Sequence, residues 1–421
     1  MNLVITGVNI ADPNSQFNQK ISDVRISAGR IAEIGSNLQR KEGEEVFDGE
    51  GCYLSPGFFD LNVSIGDPGF ETREDIQSAT AVAAAGGFTG IAVLPNSQPV
   101  MHSKGEVEYV INRAKGNLVG VYPLGAISRD LAGKELAELY DMQQAGAVAF
   151  TDGNKPVVDD GFMSRALQYA KGFDGLLMVY PENSSLAGKS QVNESATTVL
   201  LGMKGIPALA EEMQVSRDLF LAAYHGSPVH ISTISTAGSV DLIRKAKASG
   251  VQVSCDVAVH NLIFTEESLK DFDSNYKVKP PLRASADVEA LIAGLKDGTI
   301  DAVTSQHRPQ EIEHKDVEFE IAAYGILGLQ TALPLLLQAG LTPAELTEKL
   351  SIAPRKILKL DVPAIQENTE ANFCVYSTTE SWTYDSASNL SKSSNSPLLK
   401  QTLTGKVKLV YNNNQFRIYG Q

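Results

Sequence analysis

The 421-residue chain has little that would place it outside a reducing, aqueous compartment. It has three cysteines, Cys52, Cys255 and Cys374, odd in number and far apart. That spacing excludes a disulfide scaffold and predicts reduced thiols in a cytoplasm. No apolar run approaches the roughly 20 residues needed to cross a bilayer. The opening Met1-Asn2-Leu3-Val4-Ile5 carries no basic stretch and soon turns polar, so no secretory signal is expected. Basic charge is also scarce: 36 Lys and Arg stand against 50 Asp and Glu, a formal charge of −14. An excess of acid repels polyanions, so neither nucleic acid nor an anionic membrane is expected as a partner. No Gly-x-Gly-x-x-Gly or phosphate loop follows any predicted strand, which removes the main argument for a doubly wound nucleotide-binding sheet.

What is present is a change of rhythm along the chain. Both ends read as short alternating strands. Asp23 to Ser27 and Ile31 to Ile34 flank a turn at Ala28-Gly29-Arg30, a hairpin signature. Near the other end, 372–376 and 406–411 are strand-like, and Asn412-Asn413-Asn414 reads as a turn. The expectation is one small β-sandwich domain from residues 1–53 and 361–421. Between them, apolar runs at 58–65, 90–94, 118–124, 147–151, 176–180, 229–234, 251–257 and 300–304 alternate with helical stretches. Eight strands alternating with helices predict a (β/α)8 TIM-like barrel over residues 54–360, an α/β fold.

Such a barrel carries its chemistry at the C-terminal ends of its strands. Those ends contain Asn62, Ser64 and Gly66; Asn96; Asp152 and Gly153; Tyr180 and Glu182; His230 to Thr236; Asp256 to His260; and Gln306-His307. Together with Pro56-Gly57-Phe58, Gly86-Gly87-Phe88-Thr89, Leu94-Pro95-Asn96-Ser97-Gln98-Pro99, the stretch 205–211 and Pro280-Pro281-Leu282-Arg283, the chain resembles the dihydroorotase family of the amidohydrolase superfamily, of the type found alongside aspartate transcarbamoylase.

The resemblance implies a metal-dependent cyclic amidohydrolase of pyrimidine synthesis, but the positions that would carry that chemistry are changed. The two His of the first strand fall on Asn62 and Ser64. The fourth-strand carboxylate falls on Gly153, beside Asp152, and the fifth-strand His on Tyr180. The sixth-strand His falls on Thr233, and the eighth-strand Asp, metal contact and proton shuttle, on Gln306. Among substrate positions Asn96 is kept. The carboxylate-binding Arg is Gly66, an Asn is Lys279, and a final His is Gln310.

Zinc takes His nitrogens, carboxylates and thiolates. Asn, Ser, Thr, Gln and Tyr replace them here, so no cofactor is expected. The expectation is a degenerate, non-catalytic homologue, structural or regulatory. The resemblance implies aspartate transcarbamoylase as partner and a homodimer or larger assembly. The alternative is an active cyclic amidohydrolase with a rebuilt zinc site from His230, His260, His307 and Asp152. A third reading is a free-standing scaffold protein. Asp152 and Glu182 are a possible carboxylate pair. Cys255 reads as a small core residue rather than a nucleophile. Lys279 adds a cation at the rim, with Asp256 as a candidate partner or an anion as ligand.

Overall fold

A computed structural model describes residues 2–420. Eight parallel strands run in the order Phe58–Val63, Phe88–Val93, Gly120–Gly125, Ala149–Phe150, Leu177–Val179, Val229–Ile234, Val253–Ala258 and Ala302–Thr304. Each lies within or close to one of the eight predicted runs. The first and last strands meet through Asp60. Its carboxylate accepts hydrogen bonds from Thr304 Oγ1 (2.5 Å) and from the Ser305 N–H (2.8 Å). The Ser64 N–H donates to the His307 carbonyl at 2.8 Å. These bonds bring the two edges together into a nearly closed barrel.

Period-two alternation sorts the strand residues. Phe59, Leu61, Ala92, Leu124, Ala149 and Met178 fill the barrel interior. Phe58, Ile91, Val93, Leu177 and Val179 point outward under the helices. A parallel strand covered on both faces reads as a continuous apolar run, which is why these strands were legible.

The two ends of the chain share one eight-stranded sheet. Leu3–Ile10 pairs with Ile21–Ser27, Glu45–Asp48 and Tyr53–Pro56, and Tyr53–Pro56 pairs with Phe373–Tyr384, which continues into Gln401–Asn412 and Gln415–Ile418.

The longest helix is Ala208–His225, between the fifth and sixth barrel strands. Its buried stripe is Ala210, Glu211, Gln214, Val215, Asp218, Leu219 and Ala222, so polar residues interrupt the inner face. The cause is a polar network. Glu211 accepts from the Ser235 N–H (2.8 Å) and the Thr236 N–H (3.1 Å), and lies 3.6 Å from Arg283. Two motifs that carried the family resemblance, 205–211 and 280–283, therefore meet in a buried ion pair that supports the sixth strand's end.

Candidate functional site at the barrel mouth

The first strand ends in neutral side chains bonded to one another. Ser64 accepts from Asn96 Nδ2 at 2.7 Å, and Asn62 Nδ2 lies 3.4 Å from Ser232 Oγ. Ser232 in turn donates to Asp256 at 3.0 Å. Gly66 is enclosed by the turn that follows it. A Cβ built there would sit 1.9 Å from the Phe70 carbonyl oxygen. Position 66, where the resemblance led us to expect a carboxylate-binding Arg, thus has no room for any side chain.

Asp152 and Gly153 do not offer a ligand either. The Asp152 carboxylate accepts from the Ile127 and Ser128 N–H groups, both at 2.9 Å, and from the Ser128 hydroxyl. It is turned into the loop after the third strand, and burial pushes its pKa upward. Gly153 follows at φ +63°, a left-handed position that suits glycine.

The three rim histidines are dispersed among separate contacts. His230 is fully buried between Ser254 Oγ (2.8 Å) and Asp256 Oδ2 (2.9 Å). His307 Nδ1 accepts from the Gly328 N–H at 3.3 Å, and its Nε2 lies 3.5 Å from Glu74. His260 makes no well-formed hydrogen bond at either ring nitrogen, although the Gln306 amide is close. Burial lowers its pKa to about 3, so the ring is neutral. Among the described residues, no group of three or more His, Cys, Asp or Glu is arranged to hold a metal ion. His230, His260, His307 and Asp152 are therefore not brought together, and a zinc ion does not fit the donors at the mouth. Cys255 is buried, and burial raises its thiol pKa far from a thiolate's range.

Lys279 resolves differently from the sequence expectation. Its ammonium pairs with Glu182 at 2.7 Å, not with Asp256, whose Oδ2 accepts from Ser232 and faces His230. The same ammonium lies 5.9 Å from the Tyr180 ring centre and 5.7 Å from that of Tyr324. With Glu182 held by Lys279 and Asp152 by backbone N–H groups, the two carboxylates do not form a working pair. Tyr180 is buried and its phenol pKa is driven well up by burial. Gln306 donates to the Lys279 carbonyl at 2.9 Å, and Gln310 to that of Tyr324 at 2.9 Å.

A strap before the last helices completes the closure, and sequence reasoning missed how it is held. Buried Lys277 donates to the carbonyls of Phe319 (2.7 Å) and Glu320 (2.9 Å). Buried Lys315 donates to those of Ala323 (3.0 Å), Gly325 (3.2 Å) and Ser274. Burial lowers these ammonium pKa values to about 8 and about 7. Only the odd cadence Lys277-x-Lys279 hinted at such anchoring. Between the strap and the strand ends, Asn154, Lys279, Gln306, Arg308 and Tyr324 enclose a cavity of ≈ 10 Å³. That is the space of about one water, against about 300 Å³ or more for a small-molecule site.

Fold and site together define an amidohydrolase-type barrel. In solved structures the chain is similar to an L-hydantoinase (dihydropyrimidinase) from Arthrobacter aurescens, TM-score 0.86 at 21% identity, covering 100% of this chain and 97% of that one. A D-hydantoinase from a Thermus species gives 0.81 at 20% identity, with 100% and 97% covered. At such identities the likeness concerns the fold. In sequence, the Dihydro-orotase-like family model matches residues 51–239. A dihydroorotase of Geotalea daltonii is 41% identical over 410 residues, 96% of each chain. One of Acetivibrio thermocellus is 41% identical over 411 residues, again 96% of each. The chain belongs to the dihydroorotase family.

Proposed function

We propose that this chain is a non-hydrolytic member of its family, a structural or regulatory subunit in pyrimidine synthesis that works with aspartate transcarbamoylase. The observation that carries this reading is the donor set: Asn62, Ser64, Gly153, Tyr180, Thr233 and Gln306 stand at all six metal and proton-transfer positions of the family pattern. Neutral amides and hydroxyls do not offset dehydration of a dication. Water without a metal keeps a pKa of about 15.7 rather than about 7. Gln306 cannot take up and return a proton as a carboxylate would. Gly66 offers no cation to a carboxylate substrate, and the Lys279 ammonium is already engaged by Glu182. Partnership with the transcarbamoylase rests on the family resemblance and on the argument that a retained barrel without its chemistry keeps a binding role.

A second reading, an active cyclic amidohydrolase, is favoured by a different observation. Relatives about 40% identical across 96% of the chain bear the name dihydroorotase. Those names lie nearer to this alternative than to the first reading. Purified full-length protein separates the two. The non-hydrolytic reading expects far less than one zinc per chain after incubation with the metal and dialysis. It expects no carbamoyl-aspartate cyclisation above background, and co-sedimentation with the transcarbamoylase. One zinc per chain with sustained turnover overturns it in favour of the enzyme.

A further inference from the structure

One cation at the barrel mouth has no counter-ion. Arg308, two residues beyond Gln306, is partly buried. Among the described residues its guanidinium forms no ion pair and donates no hydrogen bond. Its pKa is lowered by burial first and then by the like charge of Arg73, whose own partner is Glu311 at 3.1 Å. The other cations nearby are engaged: Lys279 by Glu182 (2.7 Å), and Lys277 and Lys315 by backbone carbonyls. Among the described residues Glu182 is the only carboxylate ion-paired with any of these four side chains; Glu320 and Asp273 act on Lys277 and Lys315 at longer range. In a chain of net charge −14, the mouth thus concentrates positive charge. A partly desolvated cation without a partner costs free energy that an anion returns.

The stem of Arg308 is fixed in place. Its N–H donates to the Ile326 carbonyl at 2.9 Å, and its carbonyl accepts from Asn395 Nδ2 at 3.0 Å. Gly325 packs so closely that a Cβ there would lie 2.5 Å from the Arg308 carbonyl oxygen and 3.2 Å from its Cγ. Arg308 and Tyr324 both line the ≈ 10 Å³ cavity between the strap and the strand ends. The Tyr324 hydroxyl also has no hydrogen-bond partner among the described residues. Burial raises that phenol to about 12, so at neutral pH it keeps its proton and is a donor. The other donors at the cavity are spent. Gln306 Nε2 and Asn154 Nδ2 both point at the Lys279 carbonyl, at 2.9 and 3.4 Å. The Tyr180 hydroxyl faces Glu182 at 3.5 Å. One guanidinium and one phenol therefore remain with donors to offer, on a backbone already held for them.

We propose that the cavity beside Arg308 binds one small monovalent anion, held by the Arg308 guanidinium and the Tyr324 hydroxyl. Size limits the ligand. A cavity of ≈ 10 Å³ has the space of about one water. A monatomic halide, or a carboxylate group no larger than formate, takes that place beside the Lys279–Glu182 pair; a sulfate, phosphate or sulfonate is too large. Chloride and the carboxylate of a small acid share this chemistry. Arg308 follows the eighth strand and Tyr324 belongs to the strap, so a bound anion ties the strap to the barrel as well as neutralising the guanidinium. The site does not depend on whether the barrel mouth is catalytic.

Calorimetric melting of the full chain tests it, with chloride replacing methanesulfonate at fixed ionic strength from about 1 to about 300 mM. The expected melting temperature rises with the logarithm of chloride, as for a ligand that binds the folded state alone. Arg308→Gln removes that rise, and Tyr324→Phe moves it to about tenfold higher chloride, the worth of one hydrogen bond. Formate in place of chloride separates the two sources: action at lower concentration than chloride assigns the site to a carboxylate, and the reverse order to a halide. A melting temperature indifferent to both ions overturns the proposal. So does a rise of equal size in wild type and Arg308→Gln, which is charge screening without a site. If Arg308→Gln does not fold, bromide in crystals of the wild-type chain decides: anomalous scattering against Arg308 upholds the site, and none there overturns it.

Discussion

The two ends of the barrel treat polar groups in opposite ways. At the N-terminal end, buried Arg355 donates to the Gly57 carbonyl (2.7 Å), to the Ser351 carbonyl and hydroxyl (3.1 and 2.9 Å) and to Thr89 Oγ1 (3.0 Å). Thr89 passes its own proton to Asn372 at 2.7 Å. Donors and acceptors are matched, and the network ties the barrel to the segment leading into the terminal sheet. At the C-terminal end, Asn96 Oδ1, Thr233 Oγ1, Asp256 Oδ1 and both nitrogens of His260 are buried without a hydrogen-bond partner. Unmatched buried polar atoms cost stability. A fold tolerates them where side chains are retained for reasons other than packing. Near the N-terminal end the Tyr376 hydroxyl beside Phe58 is also unmatched, so the contrast is one of degree: the unmatched atoms cluster at the C-terminal mouth.

The substitution with the largest expected effect attempts to restore the mouth. Gly66→Arg places a Cβ 1.9 Å from the Phe70 carbonyl, so the turn must be expelled. A loss of more than about 4 kcal/mol is expected in urea unfolding. A neutral result would show that the turn yields easily and that the mouth is less closed than described.

At the opposite end, Arg355→Ala strands the Gly57 and Ser351 acceptors. It should cost about 3 kcal/mol by the same measurement. A loss below about 1 kcal/mol would erase the contrast between the ends.

Acid sharpens the contrast at the mouth. The unfolded chain takes up a proton on His260 near pH 6.5, but the folded chain resists it down to about pH 3. Stability from this group is full above pH 6.5 and is lost as the pH falls toward 3, because the unfolded state then binds the extra proton. Replacing His260 by Leu should therefore flatten the urea midpoint between pH 7 and pH 4.5 by the equivalent of about 2 to 3 kcal/mol. An unchanged slope would mean that His260 charges in the fold.

The smallest effects differ in sign. Thr233→Val removes an unpaired buried hydroxyl and should gain up to about 1 kcal/mol. Thr89→Val breaks a matched relay and should lose about 1 to 2 kcal/mol. Thermal unfolding of the two variants side by side checks this, and equal signs would refute the comparison.

Much of the fold was legible, for a definite reason. Barrel strands buried on both faces are short apolar runs, and all eight stood out. Among the terminal strands the 23–34 hairpin and the segments 372–376 and 406–411 stood out by alternation, whereas Glu45–Asp48 and Tyr53–Pro56 did not. The Ala208–His225 helix did not, because buried Glu211, Gln214 and Asp218 interrupt its inner face while Leu209, Met213, Phe220 and Tyr224 lie exposed. At the mouth, the strand-end residues could be named from the sequence. Their present contacts could not, because they depend on neighbours distant in sequence. Asp152 is bound by N–H groups from the preceding loop, and Lys279 by a glutamate 97 positions earlier. Lys277 and Lys315 look like surface lysines in sequence; their burial comes from a strap laid over them.

By itself the sequence determined the α/β barrel, the family and the identity of the side chains at each strand end, since periodicity and local motifs are written along one dimension. Tertiary structure alone decided that Gly66 is sealed, that His230 and His307 face different carboxylates while His260 is left without a partner, and that Lys279 pairs with Glu182 beside Tyr180 and Tyr324. Those outcomes depend on which distant groups reach the same few ångströms, and hydrogen bonding and burial settle that only after the chain has closed on itself.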